Sequence, residues 1–174
     1  MDVTGAILLY TLAGMLITFT GFFALLLSLR QSVGVQLTPL DRLLAKTVVT
    51  HLFLLIWGSL LPPLFGLYRI PESLIWKIAA VLFAAPMLVH LLTYPSRRRK
   101  AAATGQSHII YAVFVGFGSV SLVAMLGYVL GGFPYAAAAY VTGVMINFFT
   151  LSLVFVVALD FILKQPVERP GGDR

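Results

Sequence analysis

Apolar residues fill five long runs of this chain, and polar residues gather in the short stretches between them. A helix needs about 20 apolar residues to cross the hydrocarbon core of a bilayer. The pattern therefore predicts an all-α, polytopic bundle of five transmembrane helices at about 3–29, 39–63, 73–94, 108–130 and 134–163, within a single transmembrane domain covering 1–174. The first run follows Met1 and Asp2 without a basic leader, so it reads as a retained helix and not as a signal peptide. Arg30 closes it.

Turn-forming residues set the remaining ends. Thr38-Pro39-Leu40-Asp41 predicts a helix start, with Thr38 as N-cap, Pro39 in the first helical position and Asp41 near the positive end of the dipole. Arg42 and Lys46 then snorkel from the first turns, and Pro62-Pro63 predicts a bend or a stop. Pro71 opens the third helix, Pro86 should kink it, and 95–107 reads as a basic loop containing Arg97, Arg98, Arg99 and Lys100. Only Gly131-Gly132-Phe133 separates the last two helices, which requires antiparallel neighbours packed side by side.

Composition supports this architecture. The 174 residues are 60% hydrophobic and 10% charged, against about 25% charged in a soluble domain. Absence of cysteine removes disulfides, thiolate metal sites and thiol nucleophiles. The net charge of +6 has a cause in topology. Arg30, Arg42, Lys46, Arg97, Arg98, Arg99, Lys100, Lys164, Arg169 and Arg174 fall on one side of the weave, and Arg69 and Lys77 on the other. Such segregation predicts the N-terminus outside and the C-terminus inside. Aromatic belts follow, with Tyr68, Trp76, Tyr128 and Tyr135 at the outer level and Tyr94 and Tyr111 at the inner one. Membrane lipids, not nucleic acid, are the expected partners of the basic residues.

The block Thr38 to Pro63, TPLDRLLAKTVVTHLFLLIWGSLLPP, resembles small bacterial membrane proteins that carry an SPLDRLRLR-type entrance before an apolar helix ending in LLP. It departs from them at Leu43-Leu44-Ala45-Lys46, where their run is more basic. The resemblance covers about a sixth of the chain. It implies a multi-pass protein of a bacterial inner membrane and no mechanism.

Residues that are costly in hydrocarbon are the candidates for function. Asn147 lies near the middle of the fifth helix, on a stripe with Ala139, Gly143 and Thr150. Its amide needs a partner, which an interhelical hydrogen bond or a water-lined path would supply. Thr11, Gly14, Thr18, Gly21, Leu25 and Ser28 form a second small, weakly polar stripe along the first helix. Gly116, Gly118, Ser119, Ser121 and Gly127 give the fourth helix a comparable surface. Small-residue faces suit helix packing, and three of them favour a homo-oligomer. They also suit the lining of a pore.

Titratable groups are few. His51 and His90 occupy similar depths on the second and third helices, His108 stands at a helix entrance, and Asp160 lies toward the end of the fifth helix, four residues before Lys164. Asp160 reads as an interfacial ion pair with Lys164 or as a proton relay. A haem or metal site would need His51 and His90 to converge laterally, and no HxxxH, HExxH or ExxH spacing occurs. No metal or cofactor is therefore expected. The run Arg97 to Lys100 serves as an orientation determinant and attracts anionic lipid at about 1 kcal/mol per residue.

Nucleotide-binding, catalytic-serine and dinucleotide fingerprints are missing from the sequence, and embedded charges are too few for active coupling. The leading expectation is a non-enzymatic, oligomeric inner-membrane protein that forms a channel or passive pathway for small solutes or ions. A noncatalytic accessory subunit docking onto a larger membrane-protein partner is the alternative. A haem- or metal-binding redox component using His51 and His90 is the third.

Overall fold

A computed structural model describes residues 3–32, 38–101 and 112–164, with 157–164 as backbone alone. Its elements are α1 (Ala6–Ser32), α2 (Pro39–Gly66), α3 (Glu72–Lys100), a π-helical turn (Val113–Phe117) leading into α4 (Gly118–Leu130), and α5 (Ala136–Lys164). No strand occurs among the described residues. The five helices, the fourth counted from Val113, are each long and apolar enough to cross a membrane. The chain is built as a multi-pass membrane protein.

The start of α2 forms as its sequence predicts. Thr38 Oγ1 accepts the Asp41 N–H at 3.1 Å, and Asp41 Oδ2 accepts the Thr38 N–H at 2.9 Å, closing a reciprocal capping box. Asp41 does more than cap. It is buried, and Arg30 at the end of α1 reaches its Oδ2 at 3.5 Å, so one carboxylate ties the α1 exit to the α2 entrance.

Several helix ends differ from the sequence expectation. α1 is displaced toward its C-terminal side, α5 starts at Ala136 instead of 134, and α2 runs past Pro62-Pro63 to Gly66. α3 continues through Pro95 to Lys100, so Arg97, Arg98, Arg99 and Lys100 form its last turn and not a loop. Four cations at a helix C-terminus are favoured by the dipole, which offsets part of the cost of the proline. The predicted helix start at His108, and Tyr111 with it, lie outside the described residues.

α2 survives its prolines because another helix completes it. Proline has no N–H, so Pro62 leaves the carbonyl of Gly58, four residues earlier, without its helical donor. In hydrocarbon such an orphan is costly unless a neighbour satisfies it. Tyr140 of α5 does so: its buried hydroxyl donates to the Gly58 oxygen at 2.7 Å. Gly58 is also where Phe83 of α3 comes closest, since a Cβ there would stand 2.4 Å from Phe83 Cδ2. Glycine, proline and tyrosine thus lock α2, α3 and α5 together at one level.

Those three helices are the centre of the bundle. α2 packs on α3 and α5, α3 on α5, α1 lies against α2, and α4 lies against α3 and α5. Phe19 and Phe23 of α1 also meet Phe155 of α5 edge-on, at 4.4 and 5.4 Å between ring centroids. Leu52, Leu55, Phe83, Met87, Leu91 and Tyr140 are wholly buried in the interior. Lipid is as apolar as leucine, so fit and interhelical hydrogen bonds hold such a bundle, not expulsion from water. Trp76 and Tyr94 belong to this interior too. Both are buried, Trp76 against Tyr140 at 5.4 Å and Tyr94 against Phe114 at 5.5 Å.

Candidate functional site

The polar groups of the interior gather at one level, between the basic end of α3 and the Gly58–Tyr140 contact. His51 of α2 and His90 of α3 meet there, ring centroids 5.7 Å apart and planes at 73°. His51 is 0% exposed, and its ring lies against the main chain of Asn147 on α5. Neither His51 nitrogen, nor Nε2 of His90, nor the Thr47 hydroxyl has a hydrogen-bond partner among the described residues. The π-helical turn borders the site: it brings Phe114 to 5.4 Å from His51, and Tyr94 packs edge-on against Phe114 at 5.5 Å. One extra residue per turn re-aims a side chain, and such turns recur at functional sites.

Arg97 bounds the pair toward the end of α3. Its guanidinium stands 3.3 Å from His90 Nδ1 and donates to the His90 carbonyl. Donation from a permanent cation leaves the lone pair of a neutral imidazole on Nδ1 and its proton on Nε2. His90 therefore carries its proton on Nε2, which is buried.

This geometry answers the metal and haem expectation in part. The two imidazoles do converge, which spacing alone does not reveal. Two ligands are half of a usual site, however, and the Arg97 charge beside His90 repels a cation. Among the described residues no group of three His, Cys, Asp or Glu side chains is placed to hold a metal ion. The pair fits a water molecule better than a metal, since buried unpaired nitrogens ordinarily bind internal water.

Asn147 lies on the far side of the same level. Its amide donates to Ser121 of α4 at 2.9 Å and to the Gly143 carbonyl at 2.9 Å, and Oδ1 has no partner among the described residues. Gly143 is a packing notch: a Cβ there would stand 2.7 Å from Met125 Sδ. Gly118 is another, pressed by Leu91 and Asn147. Thr150 is buried and returns its hydroxyl to Ile146 of its own helix. Gly143 and Asn147 thus seat α4 against α5, while Ala139 and Gly143 also border an open groove between the two helices together with Tyr128, Tyr135 and Ile146.

The α1 stripe faces the other way. Thr11, Gly14, Thr18, Gly21 and Ser28 are all on the exposed side, while Leu9, Leu12, Ala13, Leu16 and Phe23 face the bundle. Thr11 and Thr18 donate to carbonyls four residues earlier, at 2.9 and 3.0 Å, so their hydroxyls tolerate lipid. A Cβ on Gly14 or Gly21 would meet nothing within 4 Å. The α4 surface splits, with Gly118 and Ser121 turned inward and Gly116 and Gly127 outward. Asp160 lies on α5 where only backbone is described, and its expected pairing with Lys164 falls outside the described side chains.

Sequence reading missed Thr47, Arg97 as the neighbour of His90, and Tyr140 as the partner of Gly58. A signal existed for the last, since a Gly four residues before a Pro inside a span requires a donor from elsewhere. Comparison with family models, curated proteins and solved structures yields no match to this chain.

Proposed function

We propose that the protein works as a homo-oligomer in a bacterial inner membrane, N-terminus outside, and that a passive pathway for small solutes or ions runs between its copies. One observation carries this reading: the small and hydroxyl-bearing face of α1 points away from a bundle whose own interior is filled. A Cβ at Gly14 or Gly21 would meet none of the described residues within 4 Å, and glycine lowers the stability of a helix by about 1 kcal/mol relative to alanine. Close approach of a second helix is what such positions permit. Hydroxyls bonded along their own helix can face water as readily as a neighbouring chain.

The protein has no native cysteine, so Gly14→Cys and Thr18→Cys are clean cross-linking probes. Oxidation in membranes is expected to give covalent dimers through both positions, while Ile17→Cys, exposed just off the stripe, cross-links less. Reconstituted protein is expected to pass small ions, and Thr18→Leu to reduce that flux while native mass spectra still show the oligomer. A monomer that does not cross-link through α1 would overturn the reading.

A further inference from the structure

At the end of the bundle remote from Arg97 to Lys100, the segment before α1, the start of α3 and the α4–α5 turn border an open cavity of about 410 Å³. Its one charged wall is Glu72. Oε1 of that carboxylate accepts the Thr4 main-chain N–H at 3.1 Å and the Trp76 indole N–H at 3.3 Å. Both donors are neutral, and no cation pairs with Glu72 among the described residues. Neither described donor neutralises the charge that the carboxylate brings to the cavity.

The remaining walls combine three aromatic residues with Thr4, Ala136, Ala137 and Ala138. Trp76, Phe133 and Tyr135 line the same cavity, with Ser73 at its edge. Two of the rings are held from behind, Trp76 by Tyr140 at 5.4 Å and Phe133 by Tyr128 at 5.1 Å. Tyr135 stands 78% exposed, in the left-handed region at φ 68°. For an L-residue that conformation costs about 1–2 kcal/mol, and here it sets a tyrosine at the mouth of the cavity.

We propose that this cavity binds an organic ammonium group, carried either by a lipid headgroup or by a free amine. Aromatic faces attract cations through their quadrupole, and the attraction is strongest for weakly hydrated ones such as alkylammonium. The carboxylate supplies charge and excludes anions. Apolar rings in place of further oxygen ligands disfavour small inorganic cations, which demand an oxygen shell. A carboxylate with several aromatic walls is the recognition chemistry of an amine.

The test uses the full chain purified in detergent, with Trp57→Phe so that Trp76 is the sole indole. Titration with tetramethylammonium chloride is expected to change its fluorescence saturably, where sodium chloride at equal ionic strength does not. Glu72→Gln should weaken that affinity roughly tenfold or more, and Tyr135→Leu roughly threefold. No response beyond the sodium control would overturn the proposal, as would full affinity in Glu72→Gln. Should that variant not fold, the exposed Tyr135→Leu decides, and undiminished affinity there overturns it. Native mass spectra from phosphatidylethanolamine and phosphatidylglycerol nanodiscs then separate the sources: ethanolamine lipid retained by the wild type and lost in Glu72→Gln identifies a headgroup, and tetramethylammonium binding without lipid retention identifies a free amine.

Discussion

His51 and His90 face each other across α2 and α3 at 5.7 Å, and three of their four ring nitrogens have no hydrogen-bond partner among the described residues. An unsatisfied buried polar group costs about 1–3 kcal/mol. Replacing His51 by phenylalanine removes two such atoms and keeps a ring beside Phe114. His51→Phe is therefore expected to melt at or above the wild-type temperature in detergent, while His51→Ala, which opens a cavity, loses about 2–4 kcal/mol. Thermal unfolding followed by circular dichroism checks both, and a His51→Phe variant less stable than His51→Ala would show that the imidazole has a partner.

The Tyr140–Gly58 contact makes a second stability prediction. Tyr140→Phe keeps the ring against Trp76 and Phe83 and deletes the donor to the orphaned carbonyl, for an expected loss of about 1–2 kcal/mol. The cost should vanish in a Pro62→Ala background, where the helix regains its own donor to Gly58. Equal losses in both backgrounds would show that the hydroxyl does something else.

Gly58→Ala is expected to be the more damaging change. Its methyl would fall 2.4 Å from a Phe83 ring carbon, and overpacking of this kind costs about 1–3 kcal/mol. Phe83→Leu should relieve part of it. A double-mutant cycle in detergent melts measures the coupling, and strict additivity would place the strain elsewhere.

Asp41 serves the α2 N-cap and the α1 exit together. Asp41→Asn keeps an acceptor for the Thr38 N–H but loses the charge facing Arg30, whereas Asp41→Ala loses both. The expected losses are about 1 and about 2–3 kcal/mol respectively. Proteolysis of the connection 33–37 in membranes gives an independent readout: it should accelerate in Asp41→Ala before the rest of the chain unfolds.

Arg97 and its neighbours are expected to divide their roles. Arg99 and Lys100 are exposed, so their replacement by glutamine should lower binding to phosphatidylglycerol vesicles by about 1 kcal/mol each, an effect that salt erases. Arg97→Gln should also cost stability, because its guanidinium holds the His90 carbonyl. Co-sedimentation against salt, paired with thermal melts, separates the two effects.

Much of the architecture is legible in the residues themselves. Five spans follow from the length of the apolar runs, because a bilayer imposes one length on every helix that crosses it. The N-cap at Thr38 follows from local chemistry and forms as spelled, while the return bond from Asp41 that completes a capping box is seen only in the structure. Helix ends at prolines were less legible: a proline predicts a stop only where nothing repairs it, and in α2 the repair comes from Tyr140, 82 residues away.

Which face does what was hidden for a related reason. Helices that are apolar around most of their circumference carry no stripe that marks the inside. Periodicity put Gly14 and Thr18 on one line and Gly143 and Asn147 on another, with nothing to distinguish them. Packing set the second pair against Met125 and Ser121 and left the first pair facing outward.

Local and one-dimensional quantities, namely span count, charge segregation, caps and the scarcity of titratable groups, belong to the sequence, since each depends on neighbours along the chain or on the solvent around it. The meeting of His51 with His90, the rescue of the Gly58 carbonyl and the gathering of Glu72 with three aromatic rings belong to the tertiary structure. Each joins residues on different helices, and their relative rotation and depth are set by shape complementarity that no periodicity encodes.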